Sequence, residues 1–379
     1  MTVSDLERAA DAAAAARDFA GAREVLLALV ADQPDHFAAW IKLAAMHRAT
    51  GHGADALAAI ERALALHPRD FSALLLRAMH FHQAGDADRA GEGFGRALAN
   101  APDHVPDHMA PVLGLARDQY RAWQTRHADF LREAARAVGP LTPRLERFIT
   151  NTVRLTEPDR DGPSHYCYPG LEEISFYDDR TLFPWIGGFE AAIDDIQREF
   201  ETVLNAEAAT LVPYVTYPDS VPVDQWAALN HNRDWTAIHL TQRGRTVPEN
   251  ARHCPVTMQL LDAVPQPQVA GVGPNAMFSL LAPGTAIPPH TGVTNTRLLC
   301  HLPMIIPEGC WFRVGSDTRH WDRGKAWVFD DSVEHEAVNP TDRLRVIMIF
   351  DFWHPALSPE EQAGIAAVIK AGGKQVHAL

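Results

Sequence analysis

Along the first third of the chain, apolar positions recur with the period of a helix, and the whole pattern returns every 34 residues. Pro34, Pro68 and Pro102 mark the step; Gly51 maps onto Gly85, and Arg62-Ala63-Leu64-Ala65 onto Arg96-Ala97-Leu98-Ala99. Each unit reads as two antiparallel helices, for example residues 37–48 and 54–66. The second helix ends near the proline, which lacks an N–H and clashes with the preceding turn. Small residues at Ala39, Ala44, Ala45, Ala58, Ala59 and Ala63 allow close helix approach. A longer helical stretch over 104–138 caps the series. Val138-Gly139-Pro140 then breaks the helix, and a loop-like stretch follows to Pro163. Beyond it one amphipathic helix is expected over 188–204. After that the pattern changes to short β-rich runs between Gly and Pro: 255–264, 275–282, 296–305, 310–314, 325–329 and 344–352. Runs at this spacing predict a sandwich or jelly roll. Ser358-Pro359-Glu360-Glu361 reads as a capping box opening a last helix, which Gly372-Gly373 ends.

A 34-residue unit closed by proline resembles the tetratricopeptide repeat. One helix pair cannot bury its apolar face alone, so stacking makes the core and about three units suffice. The first unit is degenerate. The functional expectation is a concave groove for a peptide or partner protein; the plain alternative is a spacer or a dimerisation surface. The division expected is therefore a repeat domain over 1–138, a linker over 139–164 and a β domain over 165–379.

Composition sharpens this picture. A chain of 379 residues is long enough for two cores. Its net charge of −14 argues against nucleic acid, because phosphate binding needs a basic face. Residues 1–140 hold 18 acids and 15 bases, so most of the excess, −11, belongs to the rest. Cys167, Cys254, Cys300 and Cys310 show no CxxC spacing, which predicts buried, reduced thiols rather than disulfides or zinc. Acids stand early in the chain where a signal peptide needs bases, and no apolar run approaches the ~18 residues of a membrane helix. The expected location is cytoplasmic.

Of 19 histidines, His290 and His335 stand out. His290 follows Pro283-Gly284-Thr285-Ala286-Ile287-Pro288-Pro289, a rigid turn feeding a strand. His335 ends Phe329-Asp330-Asp331-Ser332-Val333-Glu334-His335, and Arg345 follows on the next strand. Two histidines on neighbouring strands suit iron(II), since neutral imidazoles bind it and leave coordination positions open. A strand-borne arginine suits the far carboxylate of a dicarboxylate co-substrate, which the guanidinium fork pairs. Oxygen would take a remaining position.

At this point the sequence resembles the aspartyl/asparaginyl β-hydroxylases, of the double-stranded β-helix 2-oxoglutarate oxygenase superfamily. The resemblance covers about 165–356. It rests on Tyr168-Pro169-Gly170-Leu171, Phe278-Ser279-Leu280-Leu281-Ala282-Pro283-Gly284-Thr285 and Pro289-His290-Thr291-Gly292. It continues through Thr294-Asn295-Thr296-Arg297-Leu298, His301-Leu302, the His335 block, Arg345 and Asp351-Phe352-Trp353-His354-Pro355. It implies a two-domain α + β protein: an all-α repeat solenoid, then a jelly-roll, cupin-like double-stranded β-helix with flanking helices. The implied chemistry is iron(II)- and 2-oxoglutarate-dependent hydroxylation, with O2, of the β-carbon of Asp or Asn in a peptide or protein. Motif by motif, His290 and His335 correspond to the metal ligands, Arg345 and Ser279 to the far-carboxylate anchors, and His301 to the anchor at the chelating end. Period-2 alternation puts Arg297, Leu299 and His301 on one strand face, and Arg297 joins the expected co-substrate residues.

The family's Arg-Leu-Arg has become Arg297-Leu298-Leu299, which removes one cation from the chelating end. Gly292 stands where other iron enzymes carry a carboxylate, as it does in this family, with water or a carboxylate from elsewhere to fill the place. Asp330 and Asp331 are expected to support rather than ligate. Trp353 and His354 are expected to pack and turn, and residues 229–235 to form a loop that either lines the substrate entrance or is a plain connection. Other substrates stay open: a lipid acyl chain, a free amino acid or a peptide natural product. So does a binding module whose oxygenase domain is inactive.

Overall fold

The structure is a computed structural model that describes residues 2–159, 163, 165–206, 211–217, 226–269 and 271–373. The described residues form two compact units that divide between His127 and Ala128.

In the first unit, the helices are α1 (Val3–Ala15), α2 (Phe19–Asp32), α3 (Phe37–Ala49), α4 (Gly53–Leu66), α5 (Phe71–Gln83), α6 (Ala87–Ala99) and the start of α7 (Ala110–Arg136). Three antiparallel pairs stack around Leu26, Leu43, Ile60, Leu74 and Phe94. The turn inside each pair needs left-handed backbone. Gly51 (φ 80°) and Gly85 (φ 77°) supply it, and Arg17 (φ 61°) adopts the same conformation in the degenerate first unit.

In the second unit the expected linker carries a helix, α8 (Pro143–Thr152). Thr142 accepts from the Leu145 N–H, and Pro143 is pre-shaped for the first helical position. Pro140 and Pro143 therefore bracket a helix start, not a long loop. The predicted 188–204 helix is two, α9 (Ile186–Ala191) and α10 (Ile193–Asn205), parted at Ala192.

Strands β1 (Val212–Pro213), β2 (Trp235–Gln242) and β3 (Arg245–Thr246) precede two short helices, α11 (Pro248–Ala251) and α12 (Pro255–Leu261). The expected strand at 255–264 is thus a correction: it is α12. Pro255 takes its first position, and Glu199 of α10 accepts from the N–H groups of Val256 (2.7 Å) and Thr257 (2.9 Å). The remaining strands are β4 (Ala276–Leu281), β5 (Thr285–His290), β6 (Arg297–Ile305), β7 (Trp311–Val314), β8 (Asp317–His320), β9 (Trp327–Phe329), β10 (His335–Asn339) and β11 (Arg345–Trp353). β1, β2, β3 and β8 were not predicted as strands; the strands expected to carry His290 and His335 are β5 and β10, with His290 closing the first and His335 opening the second.

The large sheet runs β1-β2-β4-β11-β6-β9, with β3 on β2, and the small sheet runs β5-β10-β7-β8; all pairings are antiparallel. This is the jelly-roll architecture the pattern called for. Alternation decides the two faces of the large sheet. Ile238, Phe278, Leu298, Cys300 and Met348 face outward under α9, α10 and α12. Met277, Leu281, Leu299, Ile347 and Ile349 face inward and meet Ile287, Phe312, Val314 and Ala337. The closing helix α13 (Pro359–Gly372) has the predicted capping box, and Gly373 (φ 53°) ends it. It packs on α8 through Leu145, Phe148, Ile365 and Val368. The four cysteines are buried and form no disulfide.

Candidate active site

The inward face carries the chemistry. His290 closes β5 and His335 opens β10, and the antiparallel register makes them direct cross-strand partners. Their ring centroids lie 4.0 Å apart. His290 Nδ1 donates to the Pro288 carbonyl (2.8 Å) and His335 Nδ1 to the Val333 carbonyl (2.9 Å). A carbonyl only accepts, so both protons sit on Nδ1 and both Nε2 lone pairs are left for a ligand. Burial pushes His290 down to about 4. Burial, with His290 alongside, holds His335 well below its ordinary value. Both rings are therefore neutral near pH 7, the form that binds a metal. With nitrogen–metal bonds of about 2 Å, rings at this separation fit one shared ion.

Asp331 packs against Gly292, two residues past His290. A Cβ at Gly292 would lie 2.3 Å from Asp331 Oδ2, so Gly292 is required by volume. The Gly292 N–H donates to the Asp331 carbonyl (2.6 Å). Neither carboxylate oxygen of Asp331 has a hydrogen-bond partner, and its closest ion-pair cation is Arg297 at 3.8 Å. Burial pushes its pKa up to about 7; Arg297 opposes the rise, and Asp330 and Asp351 add to it. Among the described residues no group of three His, Cys, Asp or Glu is placed to hold an ion. Asp330 is a turn residue that accepts from Ser332 N (2.9 Å) and Oγ (2.5 Å).

Arg345 opens β11 and is almost fully buried. Its Nε and Nη1 have no hydrogen-bond partner, although the guanidinium stands 5.3 Å from the Trp321 ring centre. Burial lowers its pKa only to about 10, so it stays charged. A buried cation with unused donors fits an anionic ligand, since leaving it unpaired is costly. Ser279 lies inward on β4, two positions from Leu281, the cross-strand partner of Arg345, and its hydroxyl accepts from Trp235 Nε1 (3.0 Å). His301 lies inward on β6, with Nδ1 unpartnered and its pKa held well below the ordinary value by burial and by Arg345. Phe312 and Phe329 touch the rings of both His301 and His335.

Arg297 takes a different position. Its Nη1 donates to Asp351 Oδ2 at 2.7 Å, and Asp351 also accepts from Asn275 N and Nδ2, each at 2.8 Å. The guanidinium is thereby anchored between Asp351 and Asp331. The structure puts His290 and His335 on the small sheet and Ser279, His301, Arg345 and Arg297 on the inner face of the large one. Sequence reasoning offered Trp235 only within a loop at the substrate entrance and missed Trp226 and Tyr214 of the aromatic wall. Trp226 meets His290 edge-on at 4.8 Å, and Tyr214 stacks on Trp235 at 3.7 Å. Trp235 lay in the segment read as a loop, and it is instead the first residue of β2. His354 packs as expected, bonded to the Tyr177 hydroxyl at 2.8 Å.

Known proteins resemble this chain in sequence. Residues 190–355 match the family profile described as Aspartyl/Asparaginyl beta-hydroxylase, and 7–52 and 47–105 match Tetratricopeptide repeat. The human Aspartyl/asparaginyl beta-hydroxylase is 26% identical over 377 residues, covering 89% of this chain and 46% of that protein. The human Aspartate beta-hydroxylase domain-containing protein 2 is 30% identical over 220 residues, 57% of each chain. The Ornithine lipid ester-linked acyl 2-hydroxylase of Rhizobium tropici is 34% identical over 197 residues, 51% of this chain and 65% of that one. The chain spans between 46% and 65% of the length of these curated relatives.

Proposed function

We propose, from the match of residues 190–355 to the aspartyl/asparaginyl β-hydroxylase profile, an iron(II)- and 2-oxoglutarate-dependent hydroxylase acting on the β-carbon of Asp or Asn in a peptide or protein. The observation that carries the reading is the pairing across β5 and β10: two neutral imidazoles, 4.0 Å apart, both with Nδ1 tied to backbone. His290 and His335 would hold the iron through Nε2. Arg345 and Ser279 would hold the far carboxylate, and His301 would donate at the chelating end. Iron, with 2-oxoglutarate and O2, would supply the oxidation itself. Asp331 would accept a hydrogen bond beside the ion, and the aromatic wall of Trp226 and Trp235 would keep water out. The repeat domain would hold the peptide.

Anaerobic addition of iron(II) and 2-oxoglutarate, then oxygen, tests the reaction. The intact protein should release succinate and leave a +16 Da mark on a co-purified peptide, and His335→Ala should do neither. A chain that binds no metal and forms no succinate would sink the reading.

A second reading has its own support. Leu299 puts an apolar side chain on the inner face, and the Rhizobium relative is named for an acyl 2-hydroxylation. On this reading the oxidised carbon belongs to a lipid acyl chain, and the +16 Da mark would appear on lipid rather than peptide.

A further inference from the structure

One buried donor close to Arg345 has no role so far. Trp321 follows β8 and is 5% exposed. Its ring is held on two sides in the inner core: it stacks on Trp327 (5.6 Å, 10°) and on Phe312 (5.5 Å, 24°). Two residues of the candidate site are its neighbours. The Arg345 guanidinium carbon lies 5.3 Å from its centre, and the His301 ring 6.2 Å. Among the described residues Trp321 Nε1 finds no hydrogen-bond partner, and neither do Arg345 Nε and Nη1 or His301 Nδ1. Three neighbouring buried side chains thus hold unused nitrogens.

An indole nitrogen can only donate, and so can a guanidinium. Buried indole N–H groups ordinarily find an acceptor, because a bond left unmade is costly. Core packing accounts for the stacked rings, but not for a donor left over beside a buried cation that also lacks an acceptor. An anion answers both. A carboxylate offers about four lone-pair sites, so Arg345 and Ser279 leave room for a third donor. We propose that Trp321 Nε1–H donates a hydrogen bond to the carboxylate of 2-oxoglutarate that Arg345 holds, the one farther from the histidine pair. This rests on the 2-oxoglutarate reading above.

Two ligands separate the ends of the co-substrate: 2-oxoglutarate, and 2-oxobutyrate, which has the same chelating end and no far carboxylate. Each is titrated to saturation into the full chain loaded with Zn(II) while the isotope-labelled indole N–H signals are followed by NMR. Trp321 is identified by its contacts with the Phe312 and Trp327 rings. 2-Oxoglutarate should shift the Trp321 signal and slow its exchange with water, and 2-oxobutyrate should do neither. In calorimetry with Mn(II) in place of iron, Trp321→Phe should weaken 2-oxoglutarate about tenfold, the loss expected for a hydrogen bond to a charged group. It should leave 2-oxobutyrate and Mn(II) binding as in the wild type. A Trp321 signal that stays put while 2-oxoglutarate binds would overturn the proposal. So would an equal loss of both ligands in the variant, which would make the indole a structural support. A wild-type chain that takes the metal but no 2-oxoglutarate would instead bring down the co-substrate reading, and this inference with it.

Discussion

At the scale of single residues, Asp331 shows how position sets chemistry. Its carboxyl is 1% exposed, and neither oxygen is hydrogen-bonded. Burial pushes its pKa up to about 7, from 3.8 for an unburied carboxyl. Between those two values the folded protein holds a proton that the unfolded chain has released. Stability therefore falls as pH rises through this window and stays lowered above it. In metal-free protein, Asp331→Asn removes the penalty. The variant should be more stable than wild type at pH 8 by a few kcal/mol, with the gap closing towards pH 5. Urea unfolding at the two pH values checks this; an equal effect at both would mean that the carboxyl does not titrate there. Gly292 makes the arrangement possible, since any side chain at that position meets the Asp331 carboxylate.

At the scale of elements, what was legible in the sequence was what local pattern dictates. The 34-residue step gave the repeat helices to within a residue or two: 37–48 was expected against Phe37–Ala49, and 54–66 against Gly53–Leu66. The alternation of Arg297, Leu299 and His301 gave the inner face of β6, because a strand's side chains alternate whatever surrounds it. The histidines and Arg345 were legible because each sits in a distinctive local string. The misses share one cause, a tertiary partner. Residues 255–261 read as a strand because nothing local caps a helix there; the cap is Glu199, more than fifty residues earlier in sequence. Tyr214 was invisible because its meaning lies in the stack on Trp235. Asp331 was seen only as a neighbour of His335 in sequence. A prediction follows for α12. Glu199→Ala strips the partners of two backbone N–H groups and the Thr257 hydroxyl. It should lower stability by about 1–2 kcal/mol, read as a shift of the urea midpoint at unchanged slope. An unchanged midpoint would mean that α12 holds without its borrowed cap.

At the scale of the whole molecule, each unit has its own core, and every candidate contact with metal or co-substrate lies in the second. Ligand that binds only the folded state stabilises it by about 2.7 kcal/mol at one hundred times its Kd. The gain should register where the contacts are. Seven of the nine tryptophans (Trp185, Trp226, Trp235, Trp311, Trp321, Trp327 and Trp353) fall after residue 127, so fluorescence-detected melting mainly follows the second unit. Mn(II) with 2-oxoglutarate should move that transition upward, and Arg345→Met should abolish the part that depends on 2-oxoglutarate while keeping the part due to metal. Hydrogen exchange supplies the map: slowed amides are expected in β4, β5, β6, β10 and β11, with α1 to α6 exchanging as before. The candidate metal pair sits on the small sheet and the candidate carboxylate anchors on the large one, so a ligand that touches both must tie the sheets together. Protection confined to β5 and β10 would show that metal binds and the dicarboxylate does not, and would take Arg345 out of the site.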